Sequence, residues 1–131
     1  MQRYLLAGWL LASLAIFACG GDSEEEKVES VLRGYIAHYG DLDPAEMYAL
    51  IDSGSREQCD EVSFTRFITS VREALGDREF VITEIRNLAV DGDTASATVA
   101  STVDGEQADP TQNTLVKEDG EWRLELPTGG C

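Results

Sequence analysis

The chain has 131 residues, and its 25 acidic side chains outnumber 10 basic ones, which gives a formal net charge of −15 at pH 7. Nucleic acid and anionic lipid headgroups repel such a protein, so we expect neither as an electrostatic partner. With a single histidine, the chain also cannot form the histidine clusters that hold many catalytic metals.

The first 18 residues have the features of an export signal. Arg3 precedes an uncharged, mainly apolar run from Tyr4 to Ala18, which ends before Cys-Gly-Gly-Asp. A membrane-spanning helix needs about 20 apolar residues, and this run is shorter. We therefore predict a cleaved signal peptide over residues 1–18 and an exported protein.

The cysteine after this run indicates how the protein is anchored. Residues 14–19, Leu-Ala-Ile-Phe-Ala-Cys, resemble the bacterial lipobox, from which the bulky Phe17 departs. The resemblance implies that Cys19 receives a diacylglycerol and often a further acyl chain, and two or more chains anchor a protein stably. It implies a lipid-anchored protein in the cell membrane or outer membrane that faces the periplasm or the exterior. The alternative is ordinary cleavage after Ala18, which leaves a soluble secreted protein.

A short tether over residues 19–22 leads into one predicted domain over residues 23–131. The remaining length is enough for one domain and too short for two. Because the tether is so short, we expect the domain to lie close to the bilayer.

Three amphipathic helices open this domain, each marked by a capping residue and by apolar residues at helical spacing. The predicted starts and ends are Ser23 to Gly40, Asp43-Pro44 to residues 52–55, and Ser63 to Gly76.

Two β-hairpins follow the helices. Residues 80–90 and 94–103 are rich in β-branched or alternating apolar residues and flank the turn signal Asp91-Gly92-Asp93. Residues 111–118 and 121–126 flank a second turn signal at Asp119-Gly120. Helices first and antiparallel strands afterwards indicate an α+β domain, in which three helices pack on a twisted antiparallel sheet of about four strands.

This order of elements resembles the NTF2-like, or cystatin-like α+β, superfamily. Over residues 24–126 the chain is similar to small NTF2-like lipoproteins of bacteria, in the segments Tyr39-Gly40-Asp41, Gly92-Asp93-Thr94-Ala95 and Lys117-Glu118-Asp119-Gly120-Glu121-Trp122. The resemblance implies a cone-shaped domain whose mouth can hold a small ligand. Because members of the superfamily include isomerases, dehydratases, binding modules and transport adaptors, it does not select an activity.

The candidate ligand-binding residues on the helices and the first strand are Tyr35, Tyr39, Tyr48 and Arg86. Superfamily enzymes use an acid in the cone, and Glu84 and Asp109 hold positions that could face inward, but neither lies in a motif that implies a catalytic role. Arg86 follows Glu84 on the same strand face, so cross-strand ion pairing is an alternative to anion binding. We predict no catalytic residue, no metal site and no cofactor.

Cys59 and Cys131 form an even pair once Cys19 is acylated. Thiols of exported proteins tend to be oxidised. A bridge between them would close a loop of about 72 residues and stabilise the fold by about 4 kcal/mol in the entropy model, provided that the two Cα atoms lie within about 7 Å. We predict this disulfide, with two free thiols as the alternative.

A non-enzymatic binding module is the function that these features favour. The sequence has no nucleophile-base pair, no metal-ligand cluster, no glycine-rich phosphate loop and no basic patch. We expect the domain to bind a small apolar ligand or an envelope partner protein. The alternatives are an isomerase-like or dehydratase-like acid-base enzyme, and a structural subunit of an envelope complex that forms a homodimer through its sheet face.

Overall fold

The computed structural model describes residues 23–127 and Cys131. Four helices precede five strands: α1 (Glu24–Gly40), α2 (Pro44–Ala49), α3 (Ser53–Gln58), α4 (Glu61–Leu75), β1 (Phe80–Asp91), β2 (Thr94–Val103), β3 (Glu106–Gln107), β4 (Thr111–Glu118) and β5 (Glu121–Glu125). The antiparallel sheet has the strand order β1-β2-β4-β5, and the two-residue β3 pairs with β2. The predicted α+β class, with helices packed on an antiparallel sheet, is confirmed.

The predicted signal peptide, Cys19 and the tether lie outside the described residues. Within residues 23–127, no helix is long and apolar enough to cross a membrane. The lipid anchor therefore stays a prediction from the sequence.

The first two helices begin where their capping residues predict. Ser23 precedes α1, and its hydroxyl accepts a hydrogen bond from the Glu26 amide at 3.2 Å. Asp43 precedes α2, and its carboxylate accepts from the Glu46 amide at 3.3 Å. Each bond satisfies one of the amides that the first turn of a helix leaves unpaired. These two starts, and the end of α1 at Gly40, are confirmed.

The helical region contains one helix more than the sequence predicts. Residues 52–55, interpreted as the end of the second helix, instead begin α3, since the Asp52 carboxylate accepts from the Ser55 amide at 3.1 Å. The cap of α4 is Asp60 rather than Ser63, because the Asp60 carboxylate accepts from the Ser63 amide at 2.7 Å. Aspartate and serine are both good helix caps, so side-chain type alone does not choose between neighbouring starts.

Both predicted hairpins are present, and their turns use residues with positive φ. β1 turns into β2 at Gly92, whose φ is 58°, and β4 turns into β5 at Asp119 and Gly120, whose φ angles are 51° and 79°. Glycine adopts such angles without steric cost, and two consecutive positive φ angles are typical of a type I′ turn.

Two irregularities in β1 break its alternation. The register against β2 shifts between Ile82 and Glu84 and again between Arg86 and Ala89. A bulge inserts an extra residue, which bends the strand and changes the face on which the following side chain lies. The prediction that Glu84 could face inward is wrong, because this side chain is exposed after the first bulge. Asp109 is also exposed, because it lies in the connection between β3 and β4 rather than on a strand.

The larger hydrophobic core, here called the sheet core, joins α1 to the inner face of the sheet. Its buried residues are Val28, Leu32, Ala95, Ala97, Val99, Leu115, Trp122 and Leu124. Alternate residues of β2 point into this core, as the sequence predicts. The main contacts of α1 with the sheet are with β1 and β5.

A second core, here called the helix core, joins the helices to one another. Its buried residues are Met47, Ile51, Cys59, Phe64 and Ile68. Tyr35 on α1 packs against both cores, so it lies where the two meet.

The outer edge of β5 is covered by the chain that follows α2. The Asp52 amide donates to the Leu124 carbonyl at 2.9 Å, and the Leu124 amide donates to the Leu50 carbonyl at 2.7 Å. Covering an edge strand satisfies its unpaired backbone groups and blocks pairing with another chain. β1 forms the other edge of the sheet.

Glu24 ties the N-terminal end of α1 to the sheet. One of its carboxylate oxygens accepts from the Trp122 indole nitrogen at 2.7 Å and from the Lys117 ammonium at 3.1 Å, and the other pairs with Lys27 at 3.2 Å. The Trp122 hydrogen bond, followed by those from Lys117 and Lys27, lowers the pKa of Glu24 from 4.5 to about 2. Glu24 is therefore charged throughout the neutral and mildly acidic range.

We expect Glu24→Gln to lower the melting temperature at neutral pH and to make the fold less sensitive to acid. Because the folded-state pKa of about 2 lies below the ordinary value of 4.5, the stabilisation is complete above pH 4.5 and is lost as the pH falls towards 2. Thermal unfolding followed by circular dichroism across this pH range measures both effects.

Glu25→Gln is the matched control for this variant. Glu25 also lies in the first turn of α1, but it is exposed and makes no hydrogen bond or ion pair to the side chains that the structure describes. The control removes the same charge from the same helix end. Identical melting temperatures and pH profiles for the two variants would contradict the role of Glu24.

Candidate functional site

The three candidate tyrosines come together beside the helix core. Tyr35, Tyr39 and Tyr48 are half-buried and all pack against it. Arg86 does not join them, because it lies exposed on β1 and pairs with Glu84 of the same strand at 3.6 Å. This pair lies within one strand and is not the cross-strand pair that the sequence suggests.

Tyr48 is held by contacts within the fold. Its hydroxyl donates to the Cys59 carbonyl at 3.1 Å, its ring centroid lies 5.6 Å from that of Phe64, and the Arg56 guanidinium lies 5.1 Å from its ring centroid. Arg56 in turn donates to the carbonyls of Tyr48 and Ala49 at 2.9 and 3.0 Å. These contacts join α2 to α3 and α4, so the hydroxyl proton of Tyr48 is already used by the fold.

The Tyr35 hydroxyl stays protonated at physiological pH. Burial raises the pKa of its hydroxyl to about 12. The phenol is therefore neutral across the physiological pH range and cannot accept a proton as a general base would.

An apolar cleft opens beside Tyr39, between the C-terminal half of α1, α4 and the start of β1. Its volume is about 220 Å³, and its lining residues are Ile36, Tyr39, Phe67, Ile68, Val71, Leu75 and Phe80. On α4, Phe64 and Ile68 are buried in the helix core, whereas Phe67 is 39% exposed at the cleft. The apolar stripe of α4 is therefore only partly core, and the rest of it forms a wall of the cleft.

A larger depression lies on the outer face of α1, with a volume of about 550 Å³. All of its lining residues belong to that one helix, among them Glu26, Glu29 and Arg33. A single helix face cannot enclose a ligand from two sides, so the cleft beside Tyr39 is the better candidate for a binding site.

Tyr39 lines the cleft with apolar atoms, while its hydroxyl is buried away from it. Its hydroxyl is buried and has no hydrogen-bond partner among the described residues. An unpaired buried hydroxyl costs about 1–3 kcal/mol. The Arg72 guanidinium lies 5.6 Å from the centroid of the Tyr39 ring, within the range of a cation–π interaction.

Cys59 and Cys131 lie at disulfide distance, with their Cα atoms 6.0 Å apart. Cys59 belongs to the helix core, so a bridge would hold Cys131 against the helices. It would close a loop of 72 residues, for which the entropy model gives about 4 kcal/mol of stabilisation.

The acidic side chains of the described residues form no metal site and do not line the cleft. Asp52 is buried, but its carboxylate already caps α3. Across residues 23–127, no group of three or more histidine, cysteine, aspartate or glutamate side chains could hold a metal ion. The lining of the cleft also includes no carboxylate.

Solved bacterial structures resemble this arrangement of helices and strands. A Campylobacter jejuni protein, named as a candidate NTF2-like transpeptidase, matches over 76% of this chain and 98% of its own, with 16% identity and a TM-score of 0.54. A Thiobacillus denitrificans protein, named as a candidate calcium/calmodulin-dependent protein kinase type II association domain, matches over 73% of this chain and 87% of its own, with 14% identity and a TM-score of 0.55. This chain has the NTF2-like fold.

The NTF2-like fold does not by itself select a function. A third similar structure, from Novosphingobium aromaticivorans and named as a candidate scytalone dehydratase, matches over 78% of this chain and 81% of its own, with 17% identity and a TM-score of 0.53. The three names denote different activities, and at these identities the likeness concerns the fold alone. No protein-family model and no curated protein matches the chain.

Of the candidate tyrosines, Tyr39 lines the cleft, whereas Tyr35 and Tyr48 do not. The sequence does not predict the cleft itself. Phe67, Val71 and Leu75 follow the helical period that predicts core residues. Periodicity shows which face of a helix is apolar, but it does not show whether another element covers that face. No sequence pattern singles out Arg72 as a site residue, because its position over the Tyr39 ring depends on how α1 packs against α4.

We expect Tyr39→Phe and Tyr48→Phe to differ in their effect on stability. Tyr39→Phe removes an unpaired buried hydroxyl, so the free energy of unfolding should stay the same or rise by up to about 1 kcal/mol. Tyr48→Phe removes the hydrogen bond to the Cys59 carbonyl, which should cost about 1 kcal/mol. Urea unfolding measures both changes, and a larger loss for Tyr39→Phe than for Tyr48→Phe would show the assignment to be wrong.

Proposed function

We propose that the chain is a membrane-anchored extracytoplasmic lipoprotein whose NTF2-like domain binds a small, mainly apolar ligand without converting it. The observation that supports this most directly is the cleft beside Tyr39, whose lining side chains present apolar atoms to it. Phe67 at this cleft leaves 39% of its surface exposed. A ligand that covers these side chains gains free energy from hydrophobic burial.

The volume of the cleft suits a ligand with one ring and a short side chain. An engineered protein cavity of about 150 Å³ binds benzene. The cleft is somewhat larger, at about 220 Å³. A molecule with one ring and a few further non-hydrogen atoms therefore matches the cleft in size.

Binding is favoured over acid-base catalysis by the chemistry of the lining residues. Acid-base enzymes most often place a histidine or a carboxylate beside the substrate, and the lining of the cleft includes neither. Glu84 and Asp109, which the sequence offered for this role, are exposed to solvent. We therefore propose a binding function and not the enzymatic alternative.

The contacts of Glu24 support a defined orientation for the anchored domain. Cys19 precedes Glu24 by five residues, and Glu24 is bonded to Trp122 and Lys117. A lipid on Cys19 would hold the domain by the end of the sheet at which Trp122 lies. Tyr39 lies fifteen residues further along α1, or about 22 Å at 1.5 Å per residue. The cleft would then lie at the end of α1 away from the bilayer.

We expect the neutral compound hydrocinnamyl alcohol to bind in the cleft. In an NMR titration it should shift the amide signals of Tyr39, Phe67, Val71 and Leu75, which lie on the two helices that line the cleft. Val71→Trp introduces an indole into this space and should weaken binding by about tenfold or more, equivalent to about 1.4 kcal/mol.

Val62→Trp is the matched control for this substitution. Val62 also lies on α4, but it is 68% exposed and is not part of the lining. This variant should bind the alcohol as the unmodified protein does. If the alcohol shifts none of the cleft amides, or if Val71→Trp binds it unchanged, the cleft is not the ligand site.

We expect Cys19→Ser, made in the full chain, to release the protein from the membrane fraction and leave its fold intact, since no acyl chain can then be attached. Fractionation of bacterial cells followed by immunoblotting measures this, and circular dichroism checks the fold. Cys131→Ser is the control, because it also removes a thiol but leaves the lipobox unchanged. If Cys19→Ser partitions into the membrane as the unmodified chain does, the protein has no lipid anchor at Cys19.

A further inference from the structure

Arg72 lies at the border of the apolar cleft. It follows Ile68 by four residues and precedes Leu75 by three, and both of these residues line the cleft. Residues at these spacings are neighbours on the surface of a helix. The Arg72 guanidinium also lies 5.6 Å from the ring centroid of Tyr39, which belongs to the wall formed by α1. A positive charge is therefore placed next to an apolar space.

Arg72 has no carboxylate partner in the part of the chain that the structure describes. Ion pairs with glutamates there involve Lys27, Arg33, Arg86, Lys117 and Arg123. Arg72 takes part in none of them, although the chain has 25 acids and only 10 bases.

The remaining arginines of the described residues have surroundings that differ from those of Arg72. Arg56 donates to two backbone carbonyls at 2.9 and 3.0 Å. Arg66 and Arg78 are exposed to water. Arg72 is half-buried beside the cleft and has no anionic partner among the described residues, so a bound carboxylate would supply the partner that it lacks.

We infer that the ligand of the cleft is an amphipathic carboxylate, whose anionic group pairs with Arg72 while its apolar part lies between α1 and α4. This inference rests on the proposed ligand site and adds the chemical class of the ligand. A guanidinium and a carboxylate form charge-assisted hydrogen bonds, often two at once. The net charge of −15 repels anions from the rest of the surface. Binding of an anion at the cleft therefore depends on the local charge of Arg72, which lies next to apolar surface that can hold the rest of the ligand.

Two probes that share a phenylpropyl body but differ in charge test this inference. Hydrocinnamate carries a carboxylate, and hydrocinnamyl alcohol is neutral. By NMR titration at neutral pH we expect hydrocinnamate to bind the unmodified domain about tenfold more tightly than the alcohol. In Arg72→Gln the affinity for hydrocinnamate should fall about tenfold, to that of the alcohol, and the affinity for the alcohol should not change.

Arg66→Gln is the matched control, because it removes the same charge from an exposed position on the same helix. It should leave both affinities unchanged. An equal loss of hydrocinnamate binding in Arg66→Gln and Arg72→Gln would overturn the role of Arg72.

The comparison of the two probes on the unmodified domain does not depend on the folding of any variant. Equal affinities there would overturn the carboxylate assignment and leave the proposed binding site intact. If neither probe binds, the proposed function itself fails, and the inference fails with it.

Discussion

The packing of α1 against the inner face of the sheet is the contact on which the rest of the structure depends. Val28 and Leu32 are 0% and 3% exposed in the sheet core, and α1 contacts the sheet at β1 and β5. Glu24 holds one end of this helix to Trp122 through a charge-assisted hydrogen bond. The other end carries Tyr39 to the cleft. The position and length of α1 therefore set the distance between the start of the domain and its candidate site.

The polar groups that meet at the two ends of α1 differ in whether they have hydrogen-bond partners. At the N-terminal end, Glu24 meets an indole and two ammonium groups. At the C-terminal end, the Tyr39 hydroxyl and the Arg72 guanidinium lack oxygen partners among the residues described. Buried polar groups in native proteins are usually paired. Arg72 beside the cleft has no anionic partner among the described residues, which is the physical reason for proposing that a ligand places its charged group there.

Features that depend on neighbouring residues could be predicted from the sequence. The caps Ser23 and Asp43 and the turn residue Gly92 act over three or four positions, so two helix starts and the first hairpin follow from local chemistry. Residues 52–55 were predicted to end a helix but begin α3, because the segment Asp-Ser-Gly-Ser suits either a start or an end of a helix. Local reasoning also failed at Glu84, because a bulge depends on the register of the partner strand. The α+β class was unaffected, since it depends on the order of elements and not on their exact ends.

The sequence by itself determined the order of helices and hairpins, the acidic surface and the presence of two further cysteines beside Cys19. Only the tertiary structure decided which residues meet. It placed the Cα atom of Cys131 6.0 Å from that of Cys59, and it placed Arg72 over the ring of Tyr39. Capping and turn interactions act between residues that are close in sequence, so short sequence patterns predict them. Packing acts between surfaces that folding brings together, so the cleft and its positive charge depend on how whole helices lie against one another.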